Sequence, residues 1–151
     1  MKQIVLQSNK ENLNRAEELI YDVCDEFHVQ NYIGVISVAV MEAVENAMHH
    51  GNHYDANKKV SLSWGNCKGG LYFEVSDQGA GFDFSQFGDL SLPEQSGDGI
   101  FLMKSLSDNL VFSQDGRCVR MEFMIEGIDS SEQMERCATL DNFFQSVLIH
   151  A

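Results

Sequence analysis

At 151 residues, with 44% hydrophobic side chains and a single proline, the sequence has the composition of one ordered globular domain long enough to bury a core. Its 23 acidic against 10 basic residues give a formal net charge of -13, which repels a nucleic-acid backbone and argues against direct DNA or RNA binding, while a small nucleotide needs only local donors and a metal. No apolar run approaches a membrane span, Met1-Lys2-Gln3 leads into a strand-like run rather than a secretory leader, and Cys24, Cys67, Cys118 and Cys137 form no Cys-x-x-Cys pair; a cytoplasmic protein with reduced thiols is expected.

Residues 2–8 read as a short strand, with Ser8 or Asn9 as the cap of a helix after it. Leu13, Ala16, Ile20, Val23 and Phe27 recur at three and four, the stripe of an amphipathic helix whose polar side carries Arg15, Glu17, Glu18, Asp22 and Glu26. A break around residues 28–31 precedes a second helix from Tyr32 to His50, with Ile36, Val40, Val44 and Ala47 as its buried stripe and Gly51-Asn52 as its stop signal.

Val60, Leu62 and Trp64 alternate with Ser61 and Ser63, the period of a half-buried strand. Residues 65–70, rich in glycine, predict a turn, and residues 71–75 a partner strand, so that 60–76 reads as an antiparallel hairpin ending at Ser76-Asp77-Gln78-Gly79-Ala80-Gly81. From Phe82 to Ser96 there is no sustained period; a loop of this length in a small domain is usually functional. Gly97-Asp98-Gly99 then opens a helix from Ile100 to about Asp108, and strands over 110–113 and 118–126 flank the Asp115-Gly116 hairpin signal. Ser130 and Gln133 fit a capping box for a C-terminal helix with Met134, Cys137, Ala138, Phe144, Val147 and Leu148 as its stripe.

Chemistry concentrates at the end of the second helix. Glu42 and Asn46 are four residues apart, about 40° in azimuth, so a carboxylate and an amide carbonyl project side by side and could hold a hard cation and activate a nucleophile. His49, His50 and His53 lie close by but show no His-Glu-x-x-His or Glu-x-x-His spacing, so no dedicated transition-metal site is expected. Taken one at a time, the Glu-Asn pair, the strand-end turn at Asp77 and the Gly-x-Gly at 97–99 each have a plain structural reading.

Three segments nevertheless stand in a fixed order: Glu42-x-x-x-Asn46 on a helix, Asp77-x-Gly79-x-Gly81 after a strand, and Gly97-x-Gly99 at a helix start. In order and spacing they resemble the N, G1 and G2 boxes of the GHKL ATPases. Within that group, Val40-Met41-Glu42-Ala43-Val44-Glu45-Asn46-Ala47-x-x-His50-Gly51 and Gly99-Ile100-Phe101-Leu102-Met103 look most like the anti-sigma-factor serine kinases. The resemblance covers residues 1–126 and implies a histidine-kinase-like ATP-binding domain, an α/β two-layer sandwich (α+β) whose mixed, mostly antiparallel sheet carries helices on one face; residues 127–151 would be a helical extension packed on or near it. It implies Glu42 as general base, Asn46 as the Mg²⁺ ligand, Asp77 as the acceptor of the adenine amine, Gly79 and Gly81 as close backbone neighbours of the base, and Gly97, Gly99 and Ile100 as the phosphate-binding start of a helix, with the loop between Gly81 and Gly97 as a lid.

The function implied is an ATP- and Mg²⁺-dependent serine kinase of a partner-switching module. It would bind ATP and ADP, engage a sigma factor or similar regulator, and phosphorylate a STAS-type anti-anti-sigma protein; a homodimer is compatible with this. The alternative is a nucleotide-sensing binding module that switches partners without transferring phosphate. Two departures from the family pattern favour that alternative: Asp98 puts an acid between the two glycines, and residues 82–96 contain no lysine or arginine.

Overall fold

The computed structural model describes residues 2–82, 98–125 and 138–142. Gly97, the lid residues 83–96, the domain boundary at 126, and Ser130 and Gln133 of the expected capping box lie outside the described residues, as does the side chain of Asp98. The element order is β1 (Lys2–Gln7), α1 (Glu11–Glu26), α2 (Ile33–Asn46), a π-helical turn (Ala47–Gly51), β2 (Lys59–Cys67), β3 (Gly70–Ser76), α3 (Asp98–Leu106), β4 (Asn109–Ser113) and β5 (Cys118–Met124). This is the expected two-layer α/β sandwich.

The five strands lie in the order β1-β2-β3-β5-β4. All four described pairings are antiparallel. β3 and β4 run in the same direction, but β5 lies between them, so no parallel pair of a mixed sheet is found among the described residues. Alternation sends Val60, Leu62 and Trp64 of β2, Leu71, Phe73 and Val75 of β3, and Val119, Met121 and Phe123 of β5 to one face, where they are buried. Against that face pack Ala16, Ile20, Val23 and Cys24 of α1, Ile36, Val40 and Val44 of α2, and Leu102, Met103 and Leu106 of α3.

Local departures from the sequence reading have local causes. The hairpin turn is only Lys68-Gly69, with Gly69 at φ +82°, because β2 continues through Gly65 to Cys67. Gly65 is a strand residue that leaves room for the Tyr72 ring: a Cβ there would stand 3.0 Å from Tyr72 Cε1, and the ring is covered in turn by the Arg120 guanidinium at 3.8 Å. Ahead of α1, Asn9 Oδ1 accepts the Asn12 N–H at 3.0 Å, while Ser8 is buried and donates to Lys58 O. Helix α3 begins two residues earlier than the periodicity suggests. Residues 138–142 are helical; Ala138 is exposed, and Leu140 is the residue turned to the core, near Gly34 of α2.

Burial holds the Cys24 and Cys118 thiols at a pKa of about 11, so both are protonated at neutral pH and unreactive. Among the described residues no helix is long and apolar enough to cross a membrane.

Candidate functional site

Packing of Val40 and Val44 on the sheet fixes the rotation of α2, and with it the direction of Glu42 and Asn46, both half-buried. They meet the start of α3 at Gly99. A Cβ on Gly99 would stand 2.9 Å from Glu42 Oε2 and 3.2 Å from Asn46 Nδ2, so this glycine leaves the space in which the two side chains lie against the helix N-terminus. Beyond Asn46 the helix widens into the π turn, closed by Asn52 N–H donating to Ala47 O at 2.9 Å. Such turns insert one residue into a helix and are common at functional sites. Here the insertion delivers Gly51 against Asp77: a Cβ on Gly51 would fall 2.5 Å from Asp77 Oδ2.

Asn52, fully buried, locks this arrangement. Its Nδ2 donates to Ser8 Oγ at 2.8 Å and to Lys59 O at 3.1 Å, and its Oδ1 accepts the Gln78 N–H at 2.8 Å. One side chain thereby ties the ends of β1 and the π turn to the start of β2 and to the loop after β3. Gly79 closes the other side of the same junction, since a Cβ there would lie 2.0 Å from Gly51 O.

Asp77 extends β3 by one step: its N–H donates to Arg117 O at 2.9 Å, and its Oδ1 accepts the Gly79 N–H at 2.8 Å. Burial raises the Asp77 pKa above the usual carboxylate range, opposed by the Gly79 hydrogen bond and by the positive charges of Arg117 and Lys58. Gly81 adopts φ +82°, a conformation that favours glycine, and a Cβ there would also meet Asp115 O at 2.2 Å. The next residue, Phe82, donates its N–H to the same Asp115 O at 2.8 Å, clasping the chain after Gly81 to the β4–β5 turn.

These segments enclose a cavity of about 390 Å³. Of the residues singled out from sequence, Asn46, Asp77, Gly81, Gly99 and Ile100 line it; Glu42 and Gly79 stand one contact behind the wall, and Gly97 lies outside the described residues. The apolar walls come from Ala43, Ala47, Val75, Met103, Phe112 and Val119, with Phe82 set edge-on to Phe112 at 5.3 Å between ring centroids. His50 lines the cavity and has its ring 4.3 Å from that of His49. Sequence reasoning missed Arg117, which shares the wall with Asp77, and Asn52, which it took only as a helix stop. The hairpin signal at Asp115-Gly116 was the one available pointer to Arg117, and it speaks of a turn rather than of a site.

Residues 6–123, from within β1 to within β5 and so including every described site segment, match the histidine kinase-like ATPase domain. Serine-protein kinase RsbW of Bacillus subtilis (strain 168) is 29% identical over 119 residues, covering 72% of this chain and 72% of the relative. The protein of the same name from Bacillus velezensis is similar to the same extent, 29% over 119 residues. The chain therefore belongs to the histidine kinase-like ATPase domain family.

Proposed function

We propose that the chain binds ATP with Mg²⁺ in this cavity and transfers the γ-phosphate to a serine of a STAS-type partner, as the kinase of a cytoplasmic partner-switching module that also engages a sigma factor or similar regulator. The observation that carries this reading is the meeting of Glu42 and Asn46 with Gly99 at the start of α3, at one end of a cavity whose other polar wall is Asp77. The names of the two relatives, both serine-protein kinases, support the class of reaction.

In this reading the base enters between the apolar walls, with its amine toward Asp77. The phosphates lie toward Gly99 and Ile100, where first-turn N–H groups of α3 and the positive end of its dipole favour an anion. Asn46 fits the metal role because it lines the cavity beside that helix start and carries a neutral amide oxygen, an acceptor suited to a hard cation; Asn46 would hold the ion there. When bound, Mg²⁺ supplies neutralisation of phosphate charge. Glu42, beside Asn46 against Gly99, takes the proton of the attacking seryl hydroxyl as the oxygen bonds to the γ-phosphorus and ADP departs.

Calorimetric titration tests the binding step. ATP and ADP are expected to bind, more tightly with Mg²⁺, and GTP much more weakly, since an ionised Asp77 faces the guanine oxygen where adenine presents an amine. The pH dependence comes from the Asp77 environment. The ionised carboxylate accepts the amine hydrogen bond, so ATP affinity should be full above the raised Asp77 pKa and fall as pH drops through it, at a higher pH than an ordinary carboxylate would give. Asp77→Asn should remove that pH step. GTP binding as tightly as ATP would overturn the adenine assignment, and absence of nucleotide binding would overturn the whole reading.

The nucleotide-sensing alternative rests on the sequence: Asp98 between the two glycines, and a lid without lysine or arginine. A wild-type chain that binds ATP tightly yet phosphorylates no cognate partner would decide for it.

A further inference from the structure

Arg117 is the one lysine or arginine on the described wall of the cavity. The β3–β5 register pairs Ser76 with Cys118, and one step further the Asp77 N–H donates to Arg117 O at 2.9 Å. Directly opposed residues of an antiparallel pair send their side chains to the same face. The next paired residues on that face, Val75 and Val119, both line the cavity, as do Asp77 and Arg117 themselves. The Arg117 side chain is also held in place: its Nε donates to Gln114 O at 2.9 Å, and its Nη2 lies 3.9 Å from the exposed Asp115 carboxylate, too far for a hydrogen bond. The guanidinium is thus carried on an anchored stem on the same cavity wall as Asp77.

We infer that Arg117 is a specificity-determining residue, whose guanidinium donates a hydrogen bond to the ring nitrogen of adenine that adjoins the exocyclic amine held by Asp77. An ionised carboxylate only accepts and a guanidinium only donates, so the adjacent pair asks for a ligand edge with a donor beside an acceptor. Adenine offers this on either side of its amine, at N1 and at N7. Guanine has an acceptor where adenine has its amine, and it offers a donor beside an acceptor only at other edges, its ring N–H beside O6 or its 2-amino group beside N3; either pose displaces the sugar and phosphates it carries. The Arg117 charge also keeps Asp77 ionised to lower pH, so the two side chains support each other's states. This inference rests on the proposal that the cavity binds adenine nucleotides.

The test titrates the full chain, wild type and Arg117→Met, with ATP, adenosine, 1-deazaadenosine and 7-deazaadenosine. Arg117→Met should weaken ATP and adenosine by the same factor, about tenfold or more. One deaza compound should bind wild type weaker by a comparable factor and lose nothing further in the variant, the other behaving like adenosine. Loss of ATP affinity with adenosine unaffected would overturn the inference by placing the guanidinium on the phosphates. Equal losses for adenosine and both deaza compounds would overturn it by reducing Arg117 to a support of the wall. Thermal melting checks that the variant folds, and Arg117→Leu, which also lacks a donor and is measured with the same ligands and held to the same outcomes, replaces it if it does not. A wild type that binds neither ATP nor adenosine overturns the nucleotide reading itself, an outcome distinct from a wild type that binds both without regard to Arg117.

Discussion

Glu42→Gln should leave ATP binding little changed and lower phosphate transfer to the cognate serine by about 10²–10⁴-fold, the usual contribution of a positioned general base. The amide keeps the shape and volume of the carboxylate beside Gly99 and Asn46, so the cavity keeps its form. What it loses is the capacity to take a proton. Binding by calorimetry together with transfer of labelled γ-phosphate separates the two effects, and a variant that transfers at the wild-type rate would exclude Glu42 as the base. Asn46→Ala provides the contrast, because its defect should appear in the Mg²⁺-dependent part of ATP affinity.

Gly79→Ala should be strongly destabilising. The added Cβ would lie 2.0 Å from Gly51 O, and that oxygen has little room to retreat: Gly51 itself abuts the Asp77 carboxylate, and Asn52, the next residue, is hydrogen-bonded on both sides of its amide. Overpacking of this kind costs about 3 kcal/mol, which for a chain of this size lowers the melting temperature by roughly 6–12 °C. ATP affinity should fall with it, since relief of the clash moves Asp77 away from Gly51. Gly65→Ala is the matched control. Its Cβ meets only the end of the Tyr72 ring, which can swing aside, so it should cost less than about 1 kcal/mol. Equal melting temperatures for the two variants would mean that the loop after β3 yields freely and that the Gly51–Gly79 contact is not a structural lock.

Much of the fold was legible because it is local. The buried stripe Ile36, Val40, Val44 and Ala47 specified both a helix and which side of it remained polar, and alternation in Val60, Leu62 and Trp64 specified the sheet face. The family emerged from three short segments in order, and the match over residues 6–123 agrees with that reading. The sequence was less informative where one residue type serves two ends. Gly65 read as a turn because glycine usually marks one, yet its lack of a side chain here accommodates Tyr72 on the neighbouring strand. Asn52 and Arg117 were invisible for a different reason. Each acts through partners distant in sequence, Asn52 through Ser8 and Gln78 and Arg117 through Asp77, so no spacing within a helix or strand could announce them. The same is true of Gly99, whose bareness matters only because Glu42 and Asn46 arrive beside it.

The order of strands in the sheet also bears on how a growing chain reaches this shape. β2 and β3 are joined by two residues and β4 and β5 by a short turn, so these hairpins close in about 1–10 μs once their residues are free. β1 leaves the ribosome before any of them, yet its partner Lys59 comes only after both α1 and α2. At ordinary rates of synthesis that interval is roughly 3–10 seconds. During it the Lys2–Gln7 segment has no edge to join, and its apolar run Ile4-Val5-Leu6 waits flanked by the polar Lys2, Gln3 and Gln7. Pairing of β1 with β2 then closes the longest loop in the sheet and should come last; in refolding tracked by pulse-labelled amide exchange, protection of β1 no later than that of the β2–β3 hairpin would contradict this order.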